Sequence, residues 1–218
     1  MSRLSKVFVP TFALVLILSL VSYFIHSNTI ELLESRKLVF HTYDVLLLSE
    51  KTQQDLGDAE TEYFFYVITK DKTHLRDYNQ ARGRAQVNYD LLVESTHDNP
   101  VQQENLARLK EAMNRRSDYI QSVFDKVRTN QPTPEVGTPP CVEMRKDVQN
   151  CFNKVSTEEK TLLERRQADN SATLVRFISM TIFLAMMVST SVAFIIGVLY
   201  SDLQRKKNMD DFMTSMKR

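Results

Sequence analysis

Asn105 to Arg128 reads NLARLKEAMNRRSDYIQSVFDKVR. Leu106, Leu109, Met113, Ile120, Val123 and Val127 recur at alternating spacings of three and four, with Arg116 occupying one step of the same stripe. That period belongs to an amphipathic α-helix, and a helix with one apolar face must bury it against other elements. Composition points the same way. The 218 residues contain only 4 Gly, where average usage would give roughly fifteen. Dinucleotide-binding folds, phosphate-cradling loops and multi-hairpin β proteins need glycine wherever φ is positive, so those classes are excluded. A formal net charge of +1 gives no reason to expect a nucleic-acid partner. The chain is expected to be all-α.

The pattern extends on both sides of this helix. Upstream, Leu75, Tyr78, Arg82, Ala85, Tyr89 and Leu92 form a second stripe. It follows a turn at Lys70–Thr73 in which Thr73 is the expected cap. Thr96–Pro100 separates the two helices, and Pro100 suits a first helical position behind Asn99 or Asp98. Downstream, Gln131–Pro140 reads as a loop, after which Val148, Phe152, Val155, Glu159, Leu162 and Arg166 give another stripe. Between Asn28 and Thr69 there is no Pro, and Leu33, Phe40 and Leu47, with Val39, Tyr43 and Leu46, recur at helical spacing. Four such helices predict an antiparallel up-down-up-down four-helix bundle, and their apolar residues are read as its core.

Two uncharged runs flank the bundle. Val7–Ile25 and Phe177–Tyr200 are each long enough to cross about 30 Å of hydrocarbon. The first run ends Ser22-Tyr23-Phe24-Ile25-His26, without the small residues of a cleavage site, so it reads as an uncleaved anchor. Arg3 and Lys6 precede the first run, and Arg205, Lys206 and Lys207 follow the second. Basic flanks face the cytoplasm, which predicts both termini inside. The expected organisation is a cytoplasmic N-terminus (1–6), transmembrane helices at 7–25 and 177–200, an external bundle at 26–176 and a cytoplasmic tail at 201–218. The lipid bilayer is the first partner implied.

Little in the sequence carries chemistry. His26, His41, His74 and His97 lack metal-ligand spacing, so no metal is expected. Asp58 and Glu60 diverge by about 200° on a helix, too far apart to act on one substrate. No enzyme and no cofactor are expected. Tyr63, Phe64, Phe65, Tyr66 and Tyr78 gather toward the membrane-distal end. Tyr63, Tyr66 and Tyr78 are candidates for a ligand-facing patch, the competing reading being distal core plus a homodimer contact. The first and fourth helices run antiparallel from the two spans, so residues at equal height should have numbers summing to roughly 200. That rule pairs His41 with Glu159 and Glu34 with Arg166 as a polar ladder. A His beside a carboxylate would have a raised pKa and titrate as a pH-dependent contact.

Several strings resemble a known family. His41-Thr42-Tyr43-Asp44-Val45-Leu46, Asp58-Ala59-Glu60-Thr61, Tyr66-Val67-Ile68-Thr69, Leu75 to Tyr78, Asp98-Asn99-Pro100-Val101-Gln102-Gln103 with Leu106 and Leu109, and Glu158-Glu159 with Leu162-Leu163 and Arg165-Arg166 lie in order between the two apolar runs. Together they resemble the CHASE domains (cyclase- and histidine-kinase-associated sensing extracellular) of the third class, over about residues 10 to 200. Glu62-Tyr63-Phe64-Phe65-Tyr66 departs from the Gly-x-Arg-Gly-Tyr-like run that follows D-A-E-T in that family. The resemblance implies a sensory domain in the bacterial inner membrane, with a periplasmic bundle relaying a signal through the second span. The output partner it implies is a histidine kinase, cyclase or chemotaxis-type receptor. Only Ser201–Arg218 follows the second run, so that output is expected on a separate chain or in a longer polypeptide. A structural or assembly protein of the envelope is the alternative. Cys141 and Cys151 would lie on the oxidising side. In a helix starting at Val142 they stand ~15 Å apart, beyond the ~7 Å limit for bridged Cα atoms. The family-like register, with Val148 and Phe152 in the seam, supports that start, so a disulfide between them is not expected.

Overall fold

The computed structural model describes residues 3–133 and 138–216. They form four helices, α1 (Arg3–Thr69), α2 (Lys72–Ser95), α3 (Pro100–Arg128) and α4 (Pro139–Ser215), with no strand among the described residues. Residues 134–137 of the expected loop lie outside the described residues. The chain divides into two compact units, one of Leu38–Gln167 and one of Met1–Lys37 with Ala168–Arg218.

Local chemistry accounts for the helix ends in the first of these units. Lys70 closes α1 in the left-handed region at φ 60°, its N–H donating to the Tyr66 carbonyl at 2.8 Å. The cap of α2 is Asp71 and not the expected Thr73: the Asp71 carboxylate accepts from the Thr73 N–H at 2.9 Å, which leaves Thr73 inside the helix. Between the two expected alternatives for α3, Asn99 is the cap, with Pro100 behind it. Asn130, also left-handed at φ 52°, ends α3 and accepts from Lys70 Nζ at 3.1 Å. α4 begins at Pro139, earlier than Val142, where the prolines need no N–H partner.

Facing pairs give the topology. Asp55 with Arg84 and Glu62 with His74 run in opposite directions along α1 and α2. Tyr89 with Leu106 and Gln86 with Lys110 do so for α2 and α3, Gln102 with Glu159 and Arg115 with Asp147 for α3 and α4. Arg166 with Thr42 and Arg145 with Glu60 close the ring between α4 and α1. The unit is an antiparallel up-down-up-down four-helix bundle. Its core has two clusters. One gathers Ala59, Tyr63, Tyr66, Tyr78, Ala81, Ile120, Val123, Phe124, Val127 and Cys141. The other gathers Val45, Tyr89, Leu92, Leu106, Leu109, Ala112, Val148, Phe152 and Val155.

The expected stripes of α2, α3 and α4 supply this core. The stripe expected on α1 does not. Phe40 is 65% exposed, Tyr43 47% and Leu47 49%. The buried face of α1 is Thr42, Val45, Ser49, Thr52, Ala59, Tyr63 and Tyr66. Thr42 and Thr52 are buried without loss because their hydroxyls donate to the carbonyls of Leu38 and Leu48, one turn back. Hydropathy therefore points to the wrong face of this helix.

In the other unit, α1 and α4 each carry a stretch long and apolar enough to cross a membrane, with mean hydropathy of 1.7 and 2.4. Large apolar side chains such as Phe12, Leu16, Phe183 and Phe194 are exposed there. Ser19, Ser189, Thr190 and Ser191 donate to carbonyls one turn back, so these hydroxyls need no water. Residues 26–30 and 172–177 are helical throughout.

Candidate functional site

Each helix of the bundle contributes a charged or polar side chain between the two core clusters. Glu60 of α1 and Arg116 of α3 form an ion pair of 2.6 Å, with side-chain exposures of 14% and 12%. Arg145 of α4 reaches the same carboxylate oxygen, Oε1, and its guanidinium lies 5.5 Å from the centre of the Phe64 ring. Arg116 sits in the stripe between Met113 and Ile120, so its charge is carried into the interior by the same periodicity that buries its neighbours. A charge held there is strongly destabilising unless it is paired, and Glu60 supplies the pair.

A cavity of about 50 Å³ opens beside this pair, lined by Tyr78, Arg82, Gln86, Asn114, Arg116 and Ser117 among others. Arg82, on α2, makes no ion pair among the described residues. Burial raises the Tyr78 hydroxyl above the usual phenol range, with Arg82, a hydrogen bond to Ser117 and Arg116 pulling it back. A second cavity of about 130 Å³ lies against Gln53, Glu60, Arg116, Arg145 and Gln149. There the buried Nε of Arg145 has no hydrogen-bond partner. Two guanidiniums, those of Arg116 and Arg145, thus hold one carboxylate, and a third, on the exposed Arg82, lines the cleft beside them. The arginines outnumber the carboxylates lining this cleft.

A second polar layer lies toward the 38/167 end of the bundle. Gln102 is fully buried, and its Nε2 donates to the Val155 carbonyl at 3.0 Å and to Glu159 Oε1 at 2.9 Å. Burial raises the pKa of Glu159, opposed by the Gln102 hydrogen bond and by the charges of Arg166 and His41. Arg166 Nη1 donates to Thr42 Oγ1 at 2.5 Å and to the Leu38 carbonyl at 3.2 Å.

The residues singled out in the sequence are placed as follows. His41 and Arg166 both act on Glu159. Glu34 is an exposed residue of the other unit. The guanidinium expected to meet it is held at Thr42, about two turns farther along α1. Thr42 with Arg166 and Glu60 with Arg145 have numbers summing to 208 and 205, so α1 and α4 are offset from the expected sum of roughly 200. Tyr63, Tyr66 and Tyr78 do not form a solvent-facing patch. They are 4–5% exposed and surround Phe124, with ring centroids at 5.8, 5.0 and 5.0 Å. Asp58 is exposed on the flank beside Arg84, at 3.6 Å. Cys141 and Cys151 are free thiols, Cys141 packed in the aromatic cluster. Burial raises both their pKa values.

The centre formed by Glu60, Arg116 and Arg145 was not foreseen. Arg82 and Arg116 falling on apolar stripes is a sequence signal that marks a polar layer. Nothing in the sequence singles out Arg145.

The sequence profile of the CHASE3 domain matches residues 35–169. A solved structure similar to part of the chain is the sensor domain of the Rhodopseudomonas palustris histidine kinase HK9. It is 21% identical, covers 62% of this chain and 98% of its own, and has a TM-score of 0.38. A search of curated proteins returns no match.

Proposed function

The chain belongs to the CHASE3 family of sensory domains, and from that premise we propose that it is a membrane-anchored sensor. Residues 7–25 and 177–200 would span the bacterial inner membrane, with both termini cytoplasmic and residues 26–176 periplasmic. A change in the bundle then passes through α4 to an output module, a histidine kinase, cyclase or chemotaxis-type receptor, on another chain or in a longer polypeptide. The observation that carries this reading is the continuity of α4, which runs as one helix from the bundle residues at 139–167 through the apolar stretch at 177–200. A small displacement travels along an unbroken helix when two packings are close in energy. Alkaline phosphatase fused after Gln131 should be active, and fused after Lys207 inactive. The opposite pattern would refute the orientation.

The proposed sensor works as a homodimer. Phe40, Tyr43 and Leu47 stand exposed on α1 at spacings of three and four, and the same stripe on a second copy would cover them by knobs-into-holes packing. A Phe40→Cys chain in membranes is expected to form a disulfide-linked dimer on mild oxidation. Wild-type behaviour, with no linked species above background, would place the contact elsewhere.

A further inference from the structure

We propose that the cavity between Arg82 and Arg116 is a binding site for a small planar oxyanion, a carboxylate or nitrate-like group of about four heavy atoms. This names the stimulus class of the sensor and rests on that reading of the chain. Three observations carry it. The first is charge. Arg82 has no ion-pair partner among the described residues, and the one carboxylate lining the cavity, Glu60, is already held by Arg116 and Arg145. An anion entering here meets guanidinium charge with no carboxylate to neutralise it, at a cleft whose outer wall, Arg82 and Asn114, is exposed and whose inner wall is the half-buried Arg116. The second is the kind of donor. Arg82, Arg116, Asn114, Gln86 and Ser117 line the space from α2 and α3. A guanidinium offers two parallel N–H groups that match the two oxygens of a planar XO2 edge. The third is size. A volume of about 50 Å³ holds roughly four water-sized positions. That suits acetate, nitrate or bicarbonate better than a dicarboxylate or an aromatic acid.

Binding there would draw α2 and α3 together around one anion, beside a guanidinium shared with Glu60 of α1. The ligand would therefore act on the Glu60, Arg116 and Arg145 cluster that ties α1, α3 and α4 together. The liganded state would be stabilised as a whole, since only the folded bundle assembles the site.

The test uses the full chain purified in detergent, titrated with sodium nitrate or sodium acetate against chloride at constant ionic strength, with sodium benzoate as the oversized control. The expected result is saturable heat and a raised thermal midpoint with nitrate or acetate, at a dissociation constant of about 1 mM or tighter, and none with benzoate. Arg82→Gln should weaken binding by about tenfold or more without lowering the midpoint in chloride, because its side chain holds no ion pair to lose. Asn114→Asp should raise the midpoint in chloride and abolish the anion response, since its carboxylate takes the place of the ligand. No saturable response to either anion would overturn the proposal, as would wild-type affinity in Arg82→Gln. If Arg82→Gln fails to fold, wild-type affinity in Asn114→Asp overturns it instead. Binding is read on the isolated chain and orientation on the phosphatase fusions, so the two readings fail separately.

Discussion

Glu60→Ala is expected to destabilise the bundle by about 3–5 kcal/mol, the usual result of removing one partner from a buried pair. The loss comes from what remains. Arg116 is 12% exposed and sits in the apolar stripe of α3, so without Glu60 its guanidinium loses its counter-charge where it is only partly reached by water. Arg145 is 41% exposed and can turn to solvent. Thermal unfolding of the full chain followed by circular dichroism should show the midpoint falling by about 10 °C. Glu60→Leu combined with Arg116→Met should recover most of that loss, because the pair is then replaced by apolar volume with no orphaned charge. A midpoint unchanged in Glu60→Ala would mean that the carboxylate does not hold the centre together.

Phe124→Ala is expected to cost about as much, ~3–5 kcal/mol, for a different reason. Phe124 is fully buried, with Tyr66 and Tyr78 edge-on to its ring and Tyr63 tilted against it. Truncation leaves a cavity whose walls are rigid rings, which collapse poorly. Edge-to-face contacts are lost as well as area. Denaturant unfolding of the variant should show a lower midpoint with an unchanged slope, and Phe124→Leu should lie between the two. A loss below about 1 kcal/mol would contradict this packing.

What could be read in the sequence depended on how each helix is buried. α3 was legible because its stripe is Leu, Ile and Val at every step but Met113 and Arg116, so period and hydropathy agree. α1 was misread because its inner face is built from Thr42, Ser49 and Thr52, hydroxyl residues that pack as small groups once they bond to their own backbone. Its visible apolar stripe, Phe40 and Leu47, faces outward. The aromatic cluster was located correctly at one end of the bundle, but its role depends on Phe124, which lies one step off the stripe quoted for α3. The polar centre was half visible. Arg82 and Arg116 stand in the sequence as charged residues in apolar registers, whereas the meeting of Arg116 and Arg145 on Glu60 depends on helix offsets that periodicity does not give. The same gap displaced Arg166 from Glu34 to Thr42.

The proposed relay needs α4 to be unbroken from the bundle into the apolar stretch. Hydrogen exchange on the full chain in lipid nanodiscs, read residue by residue across 148–177, tests it most directly. Amides at 168–177 should exchange as slowly as those at 148–159, with no step at the junction, because one continuous ladder of backbone hydrogen bonds runs through both. Fast-opening amides confined to 172–177 would contradict it, since a helix that melts at that point cannot carry a displacement into the second apolar stretch.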